Sequence, residues 1–196
     1  QEAGCAISAD GSVIVGRGLG AVADEAFRWT LKGGLEGLGF LPGHETSGSQ
    51  AVSADGGIVV GYSASETERE AFMWTRSEGL VGLGDLSGGE LRSTALAISG
   101  DGSVVVGTGH GDGGETAAIW IRGQIYKLSD LLINRHGLDL SGWSLLAAVR
   151  VSADGQTILG YGISPDGERE AWVAHIGDRT AGSPLAPPTG LRIVFD

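Results

Sequence analysis

One signature recurs four times in this chain and fixes what it can fold into: Ser8-Ala9-Asp10-Gly11, Ser53-Ala54-Asp55-Gly56, Ser99-Gly100-Asp101-Gly102 and Ser152-Ala153-Asp154-Gly155. Each copy sits between two short apolar runs, and a glycine closes the second run eight residues after the serine, at Gly16, Gly61, Gly107 and Gly160. An Asp-Gly pair between β-branched runs is a hairpin signal, because glycine enters the positive-φ region freely and aspartate tolerates a tight turn. Each copy therefore predicts strand, turn, strand.

A third apolar run follows in every unit: Ala26-Phe27-Arg28-Trp29-Thr30, Ala71-Phe72-Met73-Trp74-Thr75, Ala117-Ala118-Ile119-Trp120-Ile121 and Ala171-Trp172-Val173-Ala174. Phe27 and Trp29, like Phe72 and Trp74, are two apart and so share one face of a strand. Because their phase is locked to the repeat, burial between neighbouring sheets is the expectation, rather than a sugar-stacking platform. Gly34-Leu35-Glu36-Gly37-Leu38-Gly39, Gly79-Leu80-Val81-Gly82-Leu83-Gly84 and, loosely, Gly123-Gln124-Ile125-Tyr126-Lys127-Leu128 then read as a fourth strand.

The repeat intervals of 45, 46 and 53 residues fall in the range of propeller blades. The predicted fold is all-β and β-propeller-like, with four repeated four-stranded antiparallel blades forming a four-bladed ring or part of a larger one. Units are placed at about 4–40, 49–86, 95–130 and 147–176 within a repeat domain spanning 1–178. Residues 179–196 read as a linker and tail, in which Leu191–Phe195 alternates and could close the last blade. Ser129-Asp130 is expected to cap a single helical turn in the long connector between the third and fourth units.

Composition agrees: 36 glycines against five prolines, with no Gly-X-Y period, suit many tight turns between short strands. A net charge of −11 repels phosphate backbones and anionic surfaces, so nucleic acid is not an expected partner. Cys5 is the only cysteine and cannot form an intramolecular disulfide. No run of 18 apolar residues and no basic-then-apolar leader occur in the sequence, so neither membrane insertion nor a signal peptide is expected in it.

The Ala-Ile-Ser-x-Asp-Gly units with Val-Val-Gly, the Ala-Phe-x-Trp runs and the Gly-Leu-x-x-Leu-Gly segments resemble the HAF-type extracellular repeat proteins of bacteria over most of residues 4–176. The closing segment, Leu128-Ser129-Asp130-Leu131-Leu132 followed by Gly142-Trp143-Ser144-Leu145, fits the same resemblance. It implies a secreted or cell-surface protein with a propeller-like fold. It brings no catalytic residues.

For chemistry, the four repeated aspartates could be read as Ca²⁺ ligands, but each repeat offers only one, whereas Ca²⁺ takes six to eight oxygens; turn geometry is the expected role. The Gly109–Glu115 loop, with its carboxylates three apart, is the better metal or ligand candidate on composition, but a flexible hairpin loop explains it equally well and no metal site is expected. No resident cofactor is expected. Glu68-Arg69-Glu70 and Glu168-Arg169-Glu170 could serve as acid and base, yet their repetition favours local Arg-carboxylate pairs on a solvated rim. No Gly-x-Ser-x-Gly elbow is present. The expectation is a non-catalytic extracellular binding module for carbohydrate or a cell-surface protein. The alternatives are a polysaccharide hydrolase or lyase with its site at the mouth of the ring, and a structural spacer. Candidate ligand residues are those that break the repeat in the connectors and loops: His44, Glu45, His110, Asp112, Arg135, His136 and Trp143. A homo-oligomer completing one ring is a further expectation.

Overall fold

The structure, a computed structural model, describes residues 5–19 and 24–176. Four antiparallel sheets follow one another along the chain. The first holds β1 (Cys5–Ile7), β2 (Val13–Leu19), β3 (Asp24–Thr30) and β4 (Gly34–Gly37); the second holds β5 (Thr46–Val52), β6 (Ile58–Ala64), β7 (Arg69–Thr75) and β8 (Gly79–Gly82). The third holds β9 (Thr94–Ile98), β10 (Val104–Gly111), β11 (Gly114–Ile121) and β12 (Gln124–Lys127). The fourth has three strands among the described residues, β13 (Ser144–Val151), β14 (Thr157–Ile163) and β15 (Arg169–His175). The fold is all-β and propeller-like; the last blade shows three strands among the described residues, and the tail at 179–196, in which a closing strand is expected, lies outside them.

The repeated turn explains itself at the atomic level. Ser8 Oγ donates to Asp10 Oδ1 at 2.7 Å and accepts the Val13 amide at 3.0 Å, while Asp10 also takes the Ser12 amide at 2.9 Å. Ser53–Asp55, Ser99–Asp101 and Ser152–Asp154 repeat this pattern at 2.6, 2.7 and 2.5 Å. The side chains thus satisfy amides that the hairpin leaves without ladder partners.

The glycine eight residues after each repeat serine ends the apolar run but stands in the middle of the second strand, and it has a packing reason. A Cβ at Gly61, Gly107 or Gly160 would overlap the carbonyl of Gly48, Thr94 or Ala147 on the neighbouring inner strand. The ladder shifts register beside those positions, a bulge that brings backbone against backbone.

Blades pack face to face. Val13, Val15 and Ala26 of the first meet Val59, Phe72 and Trp74 of the second. Val60 and Ala71 of the second meet Val105, Ala118 and Trp120 of the third. Val106, Ala117 and Ile119 of the third meet Ile158, Trp172 and Ala174 of the fourth. Among the described residues no such core joins the fourth blade to the first, so the four blades form an arc.

A helix, α1 (Leu128–His136), fills the long connector and buries Leu128, Leu131 and Leu132 in the core between the third and fourth blades. It is longer than the single turn expected, and Ser129-Asp130 does not cap it: the N-cap is Lys127, without a side-chain bond. Apolar burial rather than capping sustains so short a helix. It stops at Gly137, whose left-handed φ of 64° lets its amide reach Ile133 O at 3.0 Å.

Candidate functional site

In this strand order the β10–β11 hairpin, the connector after β8 and the segment entering β13 all fall at one end of the molecule. There they enclose a cavity of about 700 Å³ at the junction of the third and fourth blades. Its lining includes Asp112, Glu115, Tyr126, Lys127, Asp130 and Trp143. Carboxylates alternate with two aromatic rings on its walls.

Asp85 builds one wall rather than offering itself to a ligand. Its Oδ1 accepts the Leu86 amide at 2.7 Å and the His110 amide at 2.8 Å, and its Oδ2 accepts the Arg92 amide at 2.7 Å. These bonds fasten the second connector to β10. Gly88 bridges Gly111 across the same seam, and a Cβ at Gly88 would overlap the Asp112 carboxylate. On the opposite side Thr116 Oγ1 donates to Leu145 O at 3.1 Å, tying β11 to β13. The walls are held by hydrogen bonds while Asp112 and Glu115 remain exposed.

Of the seven candidates named from sequence, Asp112 and Trp143 line this cavity. His110 stands behind the wall, where its Nδ1 is buried without a partner among the described residues and a Cβ at Gly89 would strike it. Arg135 lies over the Tyr126 ring, 5.7 Å from its centre, and His136 ends the helix. His44 and Glu45 belong to the first connector, where their amides bond Leu41 O at 3.0 Å and Ala64 O at 2.9 Å, and they line neither this cavity nor the smaller one below. Tyr126, Lys127 and Asp130 escaped sequence reasoning because the first two end a repeat strand and the third opens the helix after it, whereas Glu115 shows in the sequence only as the second carboxylate of the Gly109–Glu115 loop. The loss of a repeat feature was the available signal: by strand register Lys127 stands where the other units carry Gly37 and Gly82.

A second cavity of about 400 Å³ lies at the β6–β7 hairpin, lined by Glu66, Glu68, Arg69, Arg92, Thr108 and Glu115. Glu115 borders both. The local Arg-carboxylate pairs expected of Glu68-Arg69-Glu70 and Glu168-Arg169-Glu170 do not form. Arg69 instead stacks over Tyr62, 4.5 Å from its ring centre, and Arg169 over Tyr161 at 4.3 Å, since a guanidinium gains from an aromatic face. The carboxylate of Glu70 turns inward to bond the Gly84 amide at 3.0 Å.

The turn aspartates are committed to structure. The Ser12 amide and the Ser8 hydroxyl pull Asp10 down to about 2, and the Ser103 amide with the Ser99 hydroxyl does the same to Asp101. Asp55 and Asp154 are lowered chiefly by the Ser53 and Ser152 hydroxyls. Among the described residues no three His, Cys, Asp or Glu side chains come together as a metal-ligand group. No helix among them is long and apolar enough to cross a membrane.

The arrangement of blades is similar to that of TolB. TolB from Acinetobacter baumannii superposes with a TM-score of 0.62 at 17% identity, over 97% of this chain and 42% of that one. A putative TolB from Agrobacterium tumefaciens gives 0.62 at 15% identity, over 99% of this chain and 61% of that one. A chain from a study of two prolyl endopeptidases gives 0.58 at 14% identity, over 93% and 28%. This chain therefore spans less than two thirds of each, and identities this low carry the fold alone. No family model matches the sequence, and no curated protein does either.

Proposed function

We propose that the chain is a non-catalytic binding module whose ligand is a carbohydrate, held in the cavity between the third and fourth blades. The observation that carries this reading is the lining: exposed carboxylates of Asp112 and Glu115 beside the rings of Tyr126 and Trp143, in a space of about 700 Å³. Sugar hydroxyls donate to carboxylates, and the apolar faces of pyranose rings lie against aromatic rings. The volume lies within the range of small-molecule sites.

His110 is turned behind the wall, so a histidine-activated nucleophile is not assembled there, and the carboxylates of Asp112, Glu115 and Asp130 are the groups that the alternative, a hydrolase or lyase, would use. The resemblance to HAF-type repeats supports placing this module outside the cytoplasm.

A glycan array probed with the purified chain, followed by calorimetry on the best hits, tests the reading. Binding that falls on Asp112→Ala or Tyr126→Ala, with the glycan recovered intact, is the expected result. Shortening of an oligosaccharide would replace the module with a hydrolase or lyase, and an array without hits would leave the cavity without its proposed ligand class.

A further inference from the structure

The two ends of the arc expose opposite faces of the repeated blade-to-blade packing. Inside the molecule each blade turns one face back to its predecessor and the other forward to its successor. The backward positions Val59, Phe72 and Trp74 are 0, 0 and 6% exposed. Their counterparts in the first blade, Ile14, Phe27 and Trp29, are only half-buried, and on the same face Leu35 is 68% exposed. The forward positions Val15, Val60 and Val106 are wholly buried, as are Ala26, Ala71 and Ala117. Their counterparts in the fourth blade, Leu159 and Ala171, are exposed.

A backbone row makes the same point independently. The repeated turns are linked from blade to blade: Ala9 N to Ala54 O at 3.1 Å, Ala54 N to Gly100 O at 2.9 Å, and Gly100 N to Ala153 O at 2.8 Å. Every bond runs in one direction. Among the described residues the row ends with a free acceptor, Ala9 O, at the first blade and a free donor, Ala153 N, at the fourth. One end presents what the other lacks.

We infer that the exposed face of the first blade is covered by the fourth blade of a second copy of this chain, and reciprocally, so that two chains close one eight-bladed ring. A surface that matches the forward half of an interface already built three times in the chain meets its backward half with the same packing and the same backbone bond. Two chains give twofold closure, leave no blade face unpaired, and reach a blade number within the range that propellers adopt, typically four to eight. Phe27 and Trp29 would then lie against Leu159, Ala171 and Val173, as Phe72 and Trp74 lie against Val15 and Ala26.

Light scattering on the purified chain, read across a dilution series, is expected to give twice the chain mass, falling to one chain mass on dilution. Trp29→Glu and Leu159→Glu should each give monomers with unchanged circular dichroism, melting within a few degrees of dilute wild type and below wild type at concentrations where it associates. Mixing the two variants should restore association, because the fourth blade of the first variant and the first blade of the second are both intact. Association absent from wild type at high concentration overturns the proposal and assigns the faces to further blades of a longer chain. Dimers that survive both substitutions, or a mixture that stays monomeric, overturn the head-to-tail geometry.

Discussion

Glu70 Oε1 accepts the amide of Gly84 at 3.0 Å across 14 residues of chain, and its carboxylate lies where a Cβ on Gly82 would stand. Glu25 does the same in the first blade, accepting from Gly39 at 2.8 Å beneath Gly37. The two glycines of each Gly-Leu-Gly element therefore have separate jobs. One makes room for a carboxylate and the other donates to it from a left-handed conformation, φ 69° at Gly84. Replacing Glu70 with alanine leaves the Gly84 amide short of its acceptor and should cost about 1–3 kcal/mol. Gly82→Ala forces the carboxylate aside and so loses the same bond. The double substitution should then cost clearly less than the two single costs added together. Urea unfolding of the four proteins checks this, and strict additivity would break the link.

The turn aspartates should set the acid limit. Their folded values lie below the ordinary 3.8, with Asp10 and Asp101 near 2. A carboxyl depressed by folding stabilises the native state above its unfolded pKa, and that contribution is lost as pH falls through the folded value. Stability should hold from neutral pH to about 4 and decline between about 4 and 2. Asp101→Asn should lower stability at neutral pH and flatten the acid decline. Urea midpoints of wild type and variant at neutral pH and across that window provide the measurement.

Ligand contact should separate Tyr126 from Arg135. The ring lines the cavity while the guanidinium lies over it, 5.7 Å from its centre. Tyr126→Ala removes the stacking surface and should weaken glycan binding about tenfold, equivalent to roughly 1.4 kcal/mol. Arg135→Ala removes only a support for the ring and should weaken binding by about twofold, near the lower end of an exposed cation–π contribution. Calorimetric affinities for one glycan decide it, and equal losses would move the contact surface away from the ring.

What could be read from the chain before its structure divides along the repeat. The Ser-x-Asp-Gly turn, the closing glycine and the Phe-x-Trp face each encode their partner locally, and four in-phase copies make the packing of one blade on the next a consequence of period alone. The cavity arises where that period lapses. Asp112 and Trp143 showed as irregular residues and Glu115 as the far carboxylate of the same loop as Asp112, whereas Tyr126 sits inside a strand whose neighbours are repeat-like. The charge reading of Glu68-Arg69-Glu70 failed because sequence adjacency says nothing about Tyr62, whose ring comes from the paired strand β6 and draws Arg69 away from both carboxylates.

Trp29, Trp74 and Trp120 occupy one register position in three blades, opposite Ile14, Val59 and Val105, yet they should respond unequally to truncation. Trp120 is fully buried and its Nε1 donates to Leu83 O at 3.0 Å. Trp120→Ala should therefore cost about 3–5 kcal/mol, with cavity and lost hydrogen bond both contributing. Trp74 is nearly as buried but carries Arg28 over its ring at 5.8 Å, and its loss should fall in the same range. Trp29 is only half-buried, so Trp29→Ala in dilute solution should cost about 1 kcal/mol. Thermal melts taken at rising protein concentration should widen the gap between wild type and Trp29→Ala, because association adds stability by mass action only where the first blade's face is intact. A gap independent of concentration would mean that this tryptophan stabilises its own blade and nothing beyond it.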